Sequence, residues 1–568
     1  MTLTQWFIFF LAIQLIHFAG TWKLYIKAGR KAWEAAVPVY NAIVLMKIIN
    51  RPQWWVILLF IPIVNLIMFP VIWVETLRSF GKNKPADTVL GVVTLGLYIY
   101  YINYTQDVTY ISDRSTKPKS ESGETVSSIL FAIIVATIIH AYFIQPFTIP
   151  TSSLEKTLLV GDWLFVSKVN YGARTPKTPI ALPMVHDTIP LAKVKSYTSF
   201  PQLPYFRFPG FEKPEHNDIV VFNWPTDTVP YFGYSGPLRY DKPLDKKSNY
   251  VKRLVGLPGD NLSIKDGVVH INNQALDLGD RAKIQYKYTL YSNKGIDYNF
   301  FRELGYTEHT VSYLTSLNDR QLDAIRRYVF YLDKLDDNSN NIIITTYGIP
   351  EDIIRSYGIR LQLVNPRTMD INLTTQEVES LKNQNSFDSI VKYTLRNEGT
   401  RIFPHNQPTW TGDNLGPIHI PAKGEVVDLT LENLPFYEMV ITDYEHNTLE
   451  IKGNQIYING ELTTQYTIQQ DYYYMMGDNR HNSEDSRYWG FVPHDHIVGK
   501  PVLIWMSLDQ NVPWSKALDK FRWDRMFTTV HGSGQPRSYF IYVVGAIAAW
   551  IVYGFVQRRK KKKSAYKA

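Results

Sequence analysis

The chain of 568 residues contains no cysteine, which excludes a disulfide framework, thiolate nucleophiles and cysteine-ligated metal sites. Both an oxidising and a reducing compartment stay open on that ground. Mean hydropathy is −0.18, too polar for a polytopic transporter, so most of the chain is expected in water, with its apolar residues clustered. The carboxylate–histidine spacing of a zincin is missing among the 13 histidines. His481, His494 and His496, close in sequence, therefore read as surface histidines, and no metal or cofactor is expected. Net charge is +8, but much of it lies in one C-terminal block, so no nucleic-acid partner is implied.

The apolar runs come next. Residues 1–104 read as an N-terminal membrane region with about three apolar segments. Phe7 to Ala19 lie in the first, and Lys23, Lys27, Arg30 and Lys31 follow it. Charges after the run rather than before it, and the lack of a small-x-small site, argue against a cleavable signal peptide. Trp54 to Val74, interrupted by Pro62 and Pro70, reads as one kinked span or a helical hairpin. Thr88 to Tyr104 is short and tyrosine-rich at its end, as an interfacial belt would be. Residues 105–125 are a polar linker. Residues 126–145 and 539–556 are each predicted to be a transmembrane helix, near the roughly 20 residues a bilayer needs.

Six consecutive cations, Arg558 to Lys563, follow the last run. They make 557–568 a basic cytoplasmic tail by the positive-inside rule. One span separates that tail from the large domain before it, which is then extracytoplasmic. The expected location is the inner (plasma) membrane, multi-pass, with the domain on the periplasmic side. Four simple spans would put Arg78, Lys82 and Lys84 outside, against the same rule, so the pass number within 1–104 stays open.

The soluble region reads as mostly β. Asp218–Phe222, Asn261–Lys265 and Val268–Ile271 are short strands bounded by Gly, Pro and Asn/Asp turns. Residues 264–273 are echoed by 451–460, a recurring hairpin rather than a repeated domain. The core is placed at 146–275 and 450–512, and 276–449 reads as an inserted subdomain. Within that insertion, Leu304 to Leu335 has helical spacing.

Three segments carry more chemistry than a plain core needs. Thr151-Ser152-Ser153 follows Pro150 at the end of an apolar run, a hydroxyl-rich turn between a membrane anchor and a strand. In the stretch Tyr250 to Asp260, Lys252 sits in an apolar strand that ends in a Gly-Leu-Pro-Gly-Asp turn, and Tyr250, Lys252 and Leu254 share one face. A lysine facing inward there loses ammonium solvation, its pKa falls, and it can accept a proton at neutral pH. Met476 to Gly490 concentrates side-chain hydrogen-bonding groups, as a polar network holding a loop against a site would.

These segments resemble the motif boxes of the bacterial type I signal peptidases (leader peptidases), the Ser/Lys membrane proteases. Gly477-Asp-Asn-Arg480, Asn482-Ser483 and Asp485-Ser-Arg-Tyr-Trp-Gly490 are the most specific part. Asp218–Phe222 resembles the family's intervening strand, and Val498-Gly499 with Ile504-Trp505 its closing one. The resemblance implies a membrane-anchored, mainly-β catalytic domain of coiled antiparallel sheets, alongside transmembrane α-helices and an α+β insertion. It implies Ser153 as nucleophile and Lys252 as general base, with the Ser153 amide and Thr151 hydroxyl forming an oxyanion hole. Ser483 would orient the lysine; Asp485 with Arg487, Asp478 and Tyr250 would support it. Phe147, Ile149 and Leu154 would line a shallow apolar cleft for an extended strand. Trp489 and Trp505 are candidates to seat the domain on lipid. The implied partners are signal peptides of secreted preproteins, with small residues at the first and third positions before the cut, and the lipid bilayer. Two positions depart from the family pattern: Leu154 stands where Met is usual, and Lys156 where Pro is usual.

Other readings of the same residues differ in their consequences. Ser152 with Glu155 matches a helix capping box. Lys252 and Arg253 could be two solvated charges on a strand. Ser153-Leu-Glu-Lys156 matches the Ser-x-x-Lys signature of penicillin-binding acyltransferases, without the companion Lys-Thr-Gly or Ser-Asp-Asn. An inactive membrane scaffold would be favoured by loss of Ser153 or Lys252, and both are present.

Overall fold

The computed structural model describes residues 1–565 except 118–119, 191, 193, 230–236, 305, 307–308, 335–339, 346–347, 365 and 397. The end of the basic tail, residues 566–568, lies outside the described residues. The architecture is mainly β, with membrane-length helices and a mixed α and β insertion. The chain divides into two compact units, 1–145 with 167–212 and 227–249, and 146–166 with 213–226 and 250–568.

In the first unit α1 (Leu3–Lys27) starts at a capping box, Thr2 with Gln5, that satisfies its first amides. The second apolar run is broken: a short helix, Trp55–Leu58, is followed by α2 (Val64–Ser79), with Pro62 and a positive φ of 69° at Ile63 between them. The third run splits into α3 (Pro85–Val93) and α4 (Tyr98–Thr105), bent by 117°. The turn at Leu95 and Gly96, both at positive φ, makes the break. The fourth forms α5 (Glu121–Ile138), extended by a π-turn to Phe143. Three helices among the described residues are long and apolar enough to cross a membrane: α1, the stretch Glu121–Phe143, and Phe540–Arg559. The count becomes four if the bent pair is one span. Glu75 is buried on α2 and takes Arg51 at 3.1 Å, Arg114 at 2.6 Å and Arg78 at 3.4 Å.

The second unit is built on one large sheet. Its strands are β1 (Ile144–Thr148), β2 (Asp162–Ser167), β3 (Ile219–Asn223), β4 (Asn249–Gly256), β5 (Tyr472–Met476), β6 (Val492–Pro493) and β7 (Ile497–Ser507). They lie in the order β1-β2-β7-β3-β4-β5-β6, with Thr528–Thr529 pairing on β7. β3 and β5 are buried at every position, as sheet centres covered on both faces are, and they are correspondingly apolar or aromatic. β1 is an edge strand. The two echoing segments are both hairpins, Ile264 opposite Val269 and Ile451 opposite Ile456.

The insertion contains a three-stranded sheet of 368–374, 285–291 and 389–392, and a four-stranded one of 329–334, 340–345, 311–316 and 361–364. The helix expected over 304–335 is largely absent. Residues 311–316 and 329–334 are strands, and between them Asp319–Ile325, capped by Asn318, is α-helical and runs into a 3₁₀ turn, Arg326–Tyr328. The β-branched and aromatic residues of Val311–Ser316 and Val329–Leu332 pair in a sheet with tertiary partners, which overrides a short-range apolar spacing.

Candidate active site

The residues singled out at 151–153, 250–252 and 478–487 all lie in the second unit. Ser152–Leu154 is a single 3₁₀ turn between β1 and β2, its N-cap Thr151 exposed and making no side-chain cap bond. The capping-box reading of Ser152 is thereby set aside. Ser152 instead accepts from Asn482 Nδ2 at its hydroxyl, 2.9 Å, and from Asn479 Nδ2 at its carbonyl, 3.1 Å. The Ser153 carbonyl accepts the Asn479 N–H at 3.1 Å. The 477–482 loop therefore fixes the serine turn from behind. At Gly477 a Cβ would lie 2.6 Å from the Ser153 carbonyl oxygen and 2.2 Å from Ser483 Oγ, so only glycine permits this approach.

Lys252 Nζ lies 2.6 Å from Ser153 Oγ, and both residues are buried. The period-2 face predicted for β4 is present: Lys252 Nζ sits 5.7 Å from the Tyr250 ring centre. Tyr250 stacks on Trp224 at 5.2 Å and meets Trp489 edge-on at 5.5 Å. This aromatic wall keeps water from the amine. Burial accordingly drives the Lys252 pKa down to about 8; Asp485 pulls it back up and Arg487 pushes it further down.

Arg253 points to the other face of the same strand and grips Asp478 with two bonds of 2.7 Å. Asp478 also takes the Thr157 hydroxyl at 2.6 Å. Burial would raise this carboxyl, but Arg253 and Thr157 hold it below the usual carboxylate range. Neither Lys252 nor Arg253 is a solvated strand charge. The Arg253 partnership went unseen in the sequence; its signal was alternation, since a cation adjacent to an inward lysine must face a separate partner. Asp485 and Arg487 form a wholly buried pair at 2.8 Å, and Asp485 further accepts the Gly477 N–H at 3.0 Å. Burial again opposes ionisation of Asp485, and Arg487 outweighs it. Ser483 Oγ is buried and finds no hydrogen-bond partner among the described residues.

Phe147, Ile149 and Leu154 belong to one apolar cluster with Leu164, Val221 and Ile504; Phe147 is half-buried and the other two are buried. Trp489 is buried in the wall against Tyr250 and does not face lipid, a correction of the expectation; Trp505 is half-buried, stacked on Phe165 at 5.5 Å. Two of the three histidines are not surface residues either, while His494 is half-buried. His481 donates from Nε2 to Asp413 at 2.9 Å and accepts the Lys287 N–H at Nδ1, its side chain 1% exposed. His496 is buried and bonds Asp495 at 2.7 Å. A polar loop packed under an insertion buries its histidines in pairs. No group of three metal-ligating side chains occurs among the described residues.

Lys156, the lysine of the Ser-x-x-Lys spacing, pairs with Glu377 at 2.5 Å. The lysine bonded to the Ser153 hydroxyl is Lys252.

Comparison with known proteins gives two family matches. Residues 33–113 match a family of unknown function, DUF5684. Residues 122–339 and 429–506, just over half of the chain, match the family described as signal peptidase, peptidase S26. A protein named signal peptidase I from Buchnera aphidicola (subsp. Acyrthosiphon pisum) is 26% identical over 403 residues, 70% of this chain and 79% of that protein. One so named from Haemophilus influenzae is 22% identical over 424 residues, 73% and 77% of the two chains. A third, from Rickettsia massiliae, is 30% identical over 189 residues, 33% and 55% respectively.

Proposed function

Because the chain belongs to the signal peptidase family, peptidase S26, we propose that it removes signal peptides from exported preproteins by a Ser153–Lys252 acyl-enzyme mechanism. The observation that carries this reading is the 2.6 Å approach of a buried Lys252 amine to the Ser153 hydroxyl. The neutral amine takes the proton from Ser153 Oγ as that oxygen attacks the scissile carbonyl. The resulting ammonium returns the proton to the departing amine, leaving the signal peptide as an ester on Ser153. Water then gives a proton to Lys252 while attacking the ester, and the proton passes back to Ser153. The Ser153 amide and Thr151 hydroxyl serve the oxyanion. Asp478, Asp485 and Arg487 hold the loop around the amine and Tyr250 flanks it. Ser483, whose hydroxyl finds no hydrogen-bond partner among the described residues, is assigned its lysine-orienting role by the family pattern alone. The edge strand β1, with Phe147 half-buried and Ile149 and Leu154 beneath, receives the substrate as an added strand.

The test is incubation of the full-length protein in detergent with a preprotein carrying an Ala-x-Ala site, followed by N-terminal sequencing of the product. Cleavage after the second alanine is expected, and a bulky residue at that position should stop it. Cutting at unrelated sites, or none at all, refutes the function.

The proposed location is the plasma membrane, multi-pass, with the catalytic domain outside. Three spans, with the cationic tail inside, put α1's N-terminus outside and residues 28–120 inside. Arg78, Lys82 and Lys84 then obey the positive-inside rule. Trp6, near the N-terminal end of α1, donates to the Gln202 carbonyl at 3.0 Å, a contact that supports placing both on one side of the membrane. The cysteine-free chain makes this simple to check. In sealed right-side-out membranes, Thr4→Cys should react with an impermeant maleimide and Asn83→Cys only after lysis. Labelling of Asn83→Cys before lysis overturns the three-span topology.

A further inference from the structure

Lys156 departs from the family pattern, and part of the segment that binds it lies between the two parts of the family match. Lys156 stands where the family pattern leads one to expect proline, and its φ is +66°, a conformation closed to proline, whose φ is fixed near −65°. An unbranched L-residue rarely occupies that region without outside support. The support comes from the insertion. Lys156 Nζ donates to Glu377 at 2.5 Å and to the Asn372 carbonyl at 3.2 Å, and lies 5.2 Å from the Tyr306 ring centre. Asn372 and Glu377 fall in 340–428, the stretch between the two parts of the family match. The neighbouring residues are held from the same side: Gln285 Nε2 donates to the Glu155 carbonyl at 2.6 Å, and the Lys283 N–H to Thr157 Oγ1 at 3.1 Å. Three consecutive residues, beginning two after the nucleophile, are thus gripped from 283–377, a stretch that runs from the family-matched part into the unmatched one.

We propose that the insertion is a clamp on the nucleophile loop, with Glu377 and Lys156 as positioning residues that replace the stiffness of a proline and set the aim of Ser153. This rests on Ser153 being the nucleophile. The ion pair is one-fifth exposed on each side, so its part is directional rather than a large share of stability. Glu377 has a second task, closing the capping box of the helix Thr375–Asn383 with Thr374. That makes a purely structural role separable from positioning.

The experiment measures kcat and KM for preprotein cleavage by the full-length protein. Lys156→Ala and Glu377→Ala should each lower kcat about tenfold with KM within about twofold, because a small misplacement of the nucleophile acts on the chemical step. The double variant should be no slower than either single one. Lys156→Arg should restore most of kcat. Thr374→Ala, which removes the cap and one bond to Glu377 Oε2 but keeps the carboxylate that pairs with Lys156, should lower the melting temperature and cost far less kcat than either pair variant. Wild-type kcat in Lys156→Ala and Glu377→Ala overturns the clamp. So does a double variant showing the product of the single effects, or a Thr374→Ala loss as large as theirs. Ser153→Ala is run alongside: if it stays active, the nucleophile assignment falls and the clamp with it. If it is dead while Lys156→Ala is normal, only the clamp falls.

Discussion

Lys252→Ala is expected to lower kcat for preprotein cleavage by at least about a thousandfold, the scale of a lost general base at a nucleophile that cannot ionise by itself. Lys252→Arg should be equally inactive. It keeps the charge and roughly the length, but a guanidinium stays protonated and has no lone pair for the serine proton. Ser153→Ala removes the other member and should be as slow, whereas Ser152→Ala, whose hydroxyl accepts from Asn482, should keep most of its rate. Loss of the amine breaks no ion pair in direct contact and removes a poorly solvated group, so Lys252→Ala should melt no lower than wild type. The buried guanidinium of Lys252→Arg should instead lower the melting temperature. The pH profile gives an independent reading. With the Lys252 pKa brought down by burial to about 8, the reactive neutral form grows as pH rises through that value. kcat/KM should climb tenfold per pH unit below about 8 and level off above it. A profile flat from pH 6 to 9 would remove Lys252 from the role of base. Activity surviving in Ser153→Ala but not in Ser152→Ala would move the nucleophile by one residue.

The meeting of Ser153 and Lys252 was legible because the two residues stand in segments whose chemistry is local: a hydroxyl turn after an apolar run, and a lysine on the inward face of an apolar strand. Strand alternation placed Tyr250 beside Lys252 correctly for the same reason. What lay hidden was set by contacts distant in sequence. Arg253 needs Asp478, 225 residues away, before it stops reading as a solvated charge. His481 reads as a surface residue until Asp413 and the 285–291 strand cover it. Trp489 has the look of an interfacial aromatic, yet Tyr250 and Trp224 enclose it. The helix expected over 304–335 failed because apolar residues at helical spacing also suit two strands once a sheet is available. In the N-terminal region, hydropathy located the apolar runs but not their breaks, since these depend on backbone turns at Ile63 and Leu95 that few β-branched or aliphatic residues adopt.

Arg487→Met is expected to destabilise the catalytic domain by about 3–5 kcal/mol, the cost of leaving a buried carboxylate without its partner. Asp485 and Arg487 are both 0% exposed at their side chains. Asp485 Oδ1 accepts from Arg487 Nε and Oδ2 from Nη2, each at 2.8 Å, while Nη2 also donates to the Arg480 carbonyl at 2.6 Å. The arginine therefore neutralises the acid and ties the 480 loop to it, and both side chains are shut off from solvent. A loss of that size is comparable with the whole stability of many domains, so much of the variant should be unfolded or protease-sensitive near physiological temperature. Asp485 also fixes the Gly477 N–H, directly behind the Ser153 carbonyl, so the folded remainder should cleave more slowly. Glu484→Gln, at the exposed neighbouring position, should melt as wild type does. The depressed Asp485 carboxyl gives the pH sign: its stabilisation is fully present above the unfolded-state value of about 4 and is lost as pH falls through the lower folded value. The Arg487→Met variant should lack that part of the acid transition. If it melts with wild type at neutral pH, the pair carries no more than a surface bridge would, and the 477–487 loop must be held by its other bonds.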